Sequence, residues 1–258
     1  MHLIDSHSHF DDDSFDADRG AALTRARAAG VVAQVVPAVN ARLWPRLREV
    51  CAAHPGLYPA YGLHPICLAD HDRADLDQLA AWIEQERPVA VGEIGLDYYI
   101  EELDRDAQRE YFLAQLGIAR DARLPVVVHA RHAVEDTYQL LRRFPTVRGV
   151  VHSFAGSEQQ ARRLIDLGYC LGFGGPVTYA RANRLRTLVQ RLPLESILLE
   201  TDSPDQPGAQ HRGERNEPAR ITEVLREVAR LRDEDPAHVA AATYANTVRL
   251  FDLGVASQ

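Results

Sequence analysis

Lysine is missing from this chain: all 29 basic residues among its 258 are arginine. Arginine forms neither Schiff bases nor carbamates at useful rates, so imine-forming aldolase chemistry is excluded. Barrels whose paired cations share a carboxylated lysine, as in phosphotriesterase-like and dihydroorotase-like enzymes, are excluded on the same ground. Cysteine is scarce: Cys51, Cys67 and Cys170 are far apart, odd in number and in no Cys-x-x-Cys pair. Neither a disulfide framework nor a thiolate zinc site is expected. No apolar run approaches the ~20 residues of a membrane span. The opening MHLIDSHSH lacks the basic and apolar regions of a signal peptide. A cytoplasmic protein with no membrane contact is expected. No linker, low-complexity run or repeat interrupts the chain, which predicts one domain over residues 1–258. Positive charge is also short, with a net charge of −8. Proteins that grip nucleic acid by charge alone are usually basic. A DNA-coating role is therefore disfavoured, whereas phosphates met by bound cations stay open.

What is present is a regular alternation. The chain is 46% hydrophobic, enough for one sizeable core. Short β-rich runs occupy residues 3–5, 31–36, 57–62, 89–93, 126–129, 149–152, 169–173 and 197–200. Several, such as VVVH and ILLE, are nearly all apolar, as strands buried on both faces should be. Amphipathic helical patterns lie between them, for example over 16–29, 74–85, 104–122, 133–144 and 157–167. Gly30 and Gly168 fall where a helix end wants a left-handed residue. Asp235-Pro236 reads as a cap and first-turn proline of a last helix. The pattern predicts an α/β fold, a single-domain TIM-type (β/α)8 barrel, which commonly uses about 250 residues. An open doubly wound sheet would usually carry a Gly-rich phosphate loop after its first strand; here that place reads SHSHF.

Barrel enzymes gather their catalytic groups at the C-terminal ends of the strands. Six of the eight expected strands end in imidazole or carboxylate groups: His7 and His9, His64, Glu93, His129, His152, and Glu200-Thr201-Asp202. In His7-Ser8-His9 both rings point to one side of an extended strand and can grip one cation. Each residue alone has a plainer reading: a satisfied histidine at a core edge, a structural ion pair, or an Asp-Ser-Pro turn cap. Their coincidence at the strand ends of one barrel predicts a binuclear metal site of His7, His9, Glu93, His129, His152 and Asp202. Such a site lowers the pKa of a bound water from 15.7 to about 7 and supplies a metal-bridged hydroxide. Asp202 is the candidate proton acceptor, Glu93 the candidate bridge, and His64 and Arg131 on the rim are candidate substrate contacts. Tyr98 and Tyr99 are read either as base-stacking or as loop packing. His2, His54, His71, His132, His211 and His238 have no such placement and are expected to be solvated.

At these residues the chain resembles the TatD family of metal-dependent hydrolases and deoxyribonucleases, within the amidohydrolase-like barrels. The segments are DSHSHFD, YGLHP, VGEIGLDYY, PVVVHAR, VVHSFAGS, LLETDSP, RNEP and TYANTVRLF, in family order along almost the whole chain. The resemblance implies two divalent cations, one on His7, His9 and Asp202, the other on His129 and His152, with Glu93 between them. It implies phosphodiesterase or deoxyribonuclease activity, with DNA or another phosphodiester as substrate. Family nucleases tend to read His-Pro-His where this chain has His64-Pro65-Ile66. They tend to read Asp-x-Pro-Tyr-Leu where it has Asp202-Ser203-Pro204-Asp205-Gln206, a loop more similar to the YjjV-like subgroup. The same hydroxide would serve an amide, lactone or aminoacyl-ester hydrolase. A non-catalytic metal-binding barrel is the third reading, against which stands the presence of all six ligands. Zinc, manganese or magnesium fits the donor set, imidazoles favouring the first two.

Overall fold

Valine- and leucine-rich runs flanked by amphipathic helices fold as their periodicity demands, in a computed structural model that describes residues 1–254. The strands are β1 (Leu3–Asp5), β2 (Val31–Pro37), β3 (Leu57–Tyr61), β4 (Ala90–Asp97), β5 (Val126–Arg131), β6 (Gly149–Val151), β7 (Tyr169–Phe173) and β8 (Ile197–Leu199). The helices are α1 (Arg19–Ala28), α2 (Trp44–Ala53), α3 (Ala74–Glu86), α4 (Arg105–Ala122), α5 (Val134–Leu141), α6 (Glu158–Asp166), α7 (Asn183–Arg191), α8 (Ile221–Arg232) and α9 (Pro236–Phe251). All strands are parallel and pair in sequence order from β1 to β8. The ends of β8 and β1 meet through Ser6 N donating to Leu199 O at 3.0 Å and Asp202 N to His7 O at 2.9 Å. The result is a nearly closed (β/α)8 barrel.

Alternation along each strand builds two cores. Ile4, Val35, Ala60, Ala90, Val127, Val150, Cys170 and Leu198, drawn from all eight strands, form one cluster with Phe251 and Leu253 at the end of α9. Their neighbours Val126, Val128, Val151, Ile197 and Leu199 face the other way, into the larger cluster shared with the helices. Gly30 and Gly168 have φ of +93° and +85°, as their places after α1 and α6 required. The Asp235 side chain accepts from Ala237 N at 2.8 Å and caps α9.

Two strands run further than their hydrophobic patterns. β4 continues four residues beyond Glu93 to Asp97, and β5 continues to Arg131. A register shift between Val91 and Ile94 absorbs the irregularity, after which Gly95, Leu96 and Asp97 pair with His129, Ala130 and Arg131. Glu93 is thus within its strand rather than at its end. Among the described residues no helix is long and apolar enough to cross a membrane.

Candidate metal centre

The site is assembled by backbone register at the C-terminal mouth. Asp5, fully buried, accepts from Thr201 N at 2.9 Å and His7 N at 3.3 Å, pinning the end of β1 to the end of β8. Burial pushes its carboxyl up to about 8. Gly95 lets β4 and β5 close on one another. Its φ is +139°, and a Cβ there would lie 2.1 Å from His129 O. No other residue fits that position.

Around Glu93 the predicted ligands converge. His7 Nε2 and His9 Nε2 are 3.3 Å apart, and Glu93 Oε2 lies 3.2 and 3.4 Å from them. Asp202 Oδ1 faces the same pair at 3.4 and 3.7 Å. On the other side His129 Nδ1 and His152 Nε2 are 3.2 Å apart, with Glu93 Oε1 at 3.0 and 2.8 Å. Two donors held by one tetrahedral cation at 2.0–2.1 Å are separated by about 3.4 Å. Facing ring nitrogens at these distances repel unless a proton or a cation lies between them. Glu93 Oε2 is buried and has no hydrogen-bond donor among the described residues. Each half of this cluster therefore fits a metal ion, and overlapping triads of these residues have the spacing to hold one.

Neighbouring groups aim the rings. His9 Nδ1–H donates to Pro37 O at 3.1 Å, and His129 Nε2–H to Asp97 Oδ2 at 2.9 Å. Glu200 Oε1 lies 3.8 Å from His152 Nδ1 and accepts from Ser153 N at 2.6 Å. Gln206 donates to Asp202 Oδ2, and its own carbonyl accepts from Ser153 Oγ at 3.0 Å. Asp202 Oδ1 is thereby left facing the imidazoles. Asn216, buried in the RNEP segment, donates to Thr201 O and Asp205 O, both at 2.8 Å, and fixes the loop that carries Asp202.

His64 lies deeper than the rim on which it was expected. It is buried, its Nε2 3.0 Å from Glu93 Oε1. Ile66 N donates to its Nδ1 at 3.0 Å. A neutral ring that accepts at Nδ1 carries its proton on Nε2, so His64 faces Glu93 as a donor. Its spacing would also suit a ligand, but the backbone amide on Nδ1 argues for the donor. Arg131 is on the rim and exposed, its guanidinium 3.7 Å from the centroid of Tyr99. Tyr98 is a packing residue, donating to Asp136 at 2.9 Å beneath Arg105 and Arg109. Two histidines expected in solvent are engaged. His71 donates to His64 O at 2.9 Å, and His211 lies 2.8 Å from Glu223 and 3.0 Å from Glu214. The partners Asp97, Gln206 and Asn216 escaped the sequence reading. For Asp97 a signal existed: it stands four residues after Glu93 on an extended run, on the same face.

The electrostatics follow from burial and one central carboxylate. Burial alone would raise Glu93, but His64, His152 and His7 around it hold it well below the ordinary range. Burial pushes His7 far down and His64 down to about 4. Burial also opposes protonation of His9, yet the Glu93 carboxylate beside it lifts it to about 9. Burial raises Asp202 to about 6.

A sequence model described as TatD related DNase matches residues 4–252. The chain belongs to the TatD family. The metal-dependent hydrolase YjjV of Escherichia coli is 40% identical over 254 residues, covering 97% of this chain and 98% of its own. The metal-dependent hydrolase YabD of Bacillus subtilis is 34% identical over 255 residues, covering 96% and 98%. The crystal structure of E. coli YjjV superposes with a TM-score of 0.94 at 39% identity, over 97% of this chain and 98% of that one. This TatD-family chain is a metal-dependent hydrolase on a TIM-type barrel.

Proposed function

We propose that the protein hydrolyses phosphodiesters, DNA among them, with two divalent cations. His7, His9 and Asp202 would hold one, and His129 and His152 the other, with Glu93 placed between them. The observation that carries the reading is the division of Glu93: Oε2 lies 3.2 Å from His7 and 3.4 Å from His9, while Oε1 lies 2.8 Å from His152 and 3.0 Å from both His129 and His64. Cations in such a site supply hydroxide at neutral pH and polarise the oxygen under attack. The rest is done by side chains. Asp202, lifted to about 6 by burial, accepts the proton of the attacking water. Gln206 holds the far oxygen of Asp202 still while it does so. The Nε2–H of His64 donates to an oxygen of the substrate or to Glu93, and Arg131 offers its N–H groups to the phosphate. The family description, TatD related DNase, favours phosphorus over carbonyl as the centre attacked.

The test is a panel of single- and double-stranded DNA, a phosphodiester ester, amides and lactones, each with Mg²⁺, Mn²⁺ or Zn²⁺. Phosphodiester turnover is expected; turnover confined to amides or lactones would replace this reading with carbonyl hydrolysis. On the substrate so found, Asp202→Asn should lower the single-turnover rate by about 10²–10⁴-fold, the usual worth of a positioned proton acceptor. Added metal should not restore it. Full rescue by metal would reduce Asp202 to a ligand.

A further inference from the structure

Large apolar side chains exposed among the described residues are Met1, Val32, Ile66 and Tyr99. The last two, 41% and 55% exposed, stand on the loops that leave β3 and β4 at the mouth of the site. Tyr99 is not a loose side chain. Its backbone N donates at 2.9 Å to Asp97 Oδ1, while the other oxygen of Asp97 accepts from His129 at 2.9 Å. One carboxylate thus ties the Tyr99 turn to a ring of the metal centre. Across from Asp97 on β5 is Arg131, two residues beyond His129 and in register with Asp97. Its guanidinium lies 3.7 Å from the Tyr99 centroid. His132, in a left-handed turn with φ of +54°, sets its ring edge-on to Tyr99 at 5.2 Å and 88°. The ring of His64, just after β3, lies 4.6 Å from that of His129 in β5, both beside Glu93.

An aromatic face held beside a guanidinium is the chemistry that binds a planar base next to an anion. Stacking takes the base without reading its identity, and a guanidinium on a ring keeps its in-plane N–H groups free for an oxygen. We propose that Tyr99, backed by Arg131 and edged by His132, is a base-stacking subsite. It takes the nucleobase adjoining the scissile phosphodiester, and Arg131 reaches that phosphate from the same platform. The subsite rests on the phosphodiesterase reading above and narrows its substrate to nucleotides, with larger bases held more tightly than smaller ones.

The experiment compares two esters with one leaving group, thymidine 5′-(p-nitrophenyl phosphate) and methyl p-nitrophenyl phosphate, on the Mn²⁺-loaded protein. In Tyr99→Ala the ratio of kcat/KM between the nucleoside ester and the methyl ester should fall on the order of 10-fold, the loss lying in KM. Tyr99→Phe should retain the wild-type ratio, because it keeps the ring. A ratio unmoved by Tyr99→Ala would overturn the subsite and leave the phosphodiesterase reading intact. A parallel calorimetric titration with deoxyadenosine 5′-monophosphate and with inorganic phosphate needs no turnover. Tyr99→Ala should weaken the nucleotide about 10-fold more than phosphate, and equal weakening would overturn the proposal. If the wild type cleaves neither ester, the phosphodiesterase reading falls, and the titration alone decides whether a nucleotide site exists here.

Discussion

Asp97 shows how one side chain serves two tasks. Oδ2 accepts from His129, and Oδ1 accepts from Tyr99 N and Ile100 N at 2.9 and 3.3 Å. The first bond fixes which nitrogen of His129 faces the centre and strengthens that nitrogen as a donor. The Asp97→Asn amide keeps one acceptor for the turn but loses the charge that steadies His129. Metal affinity of the chelator-stripped protein should fall about 10–100-fold, with the circular dichroism spectrum retained. Calorimetry measures it; an unaltered affinity would show that His129 needs no partner. The residues that converge on Glu93 were legible because histidines and carboxylates at the ends of apolar runs stand out. Gln206 and Asn216 were not, since a polar residue in a loop has the same sequence signature whether or not its bonds are buried.

At the scale of elements, α4 acts as a peg for two site loops. Gln108 and Gln115 lie seven residues, or two turns, apart, so they share a face; both are buried. Gln115 accepts from Leu63 N at 2.7 Å and donates to Leu63 O at 3.1 Å, just before His64. Gln108 does the same for Asp97, at 2.7 and 2.9 Å. Each amide replaces a missing strand partner where β3 and β4 end and would otherwise leave buried backbone groups unpaired. Gln115→Leu and Gln108→Leu should each destabilise the protein by about 2–5 kcal/mol, the cost of two orphaned groups. The double variant should be additive within about 0.5 kcal/mol, since the two bond different loops. Urea denaturation reads both numbers, and a loss below about 1 kcal/mol would mean the loops hold without the pegs. The apolar period of α4 was plain in the sequence. Its two glutamines pass there for solvent-facing positions, because only the packed barrel places backbone amides opposite them.

For the whole molecule, protons and cations compete for one cluster. Without metal, contact with Glu93 lifts His9 to about 9 and His152 well above its ordinary range, against the pull of burial. A cation needs those rings neutral. Below the raised pKa the proton competes, so affinity should climb as pH rises from neutrality through about 9. Near pH 7 uptake should release protons. Calorimetry in two buffers of different ionisation enthalpy counts them; binding with no release and no pH dependence would contradict the assigned ligands. At a hundred times Kd, each bound ion should stabilise the fold by about 2.7 kcal/mol, raising Tm by about 5–10 °C per ion.

The sequence by itself determined the alternation of strands and helices, the ends at Gly30, Gly168 and Asp235, and the kinds of residue at each strand end. Periodicity and caps are local, set by backbone sterics and by which face meets water. Tertiary structure decided the rest. It carried β4 past Glu93 to Asp97, turned His64 inward as a donor, and set the two oxygens of Glu93 toward different rings. It also joined Asp5 to Thr201, 196 residues away, at 2.9 Å. Such distances depend on strand register and on the near-closure of the barrel, which arise only when all eight strands pack together.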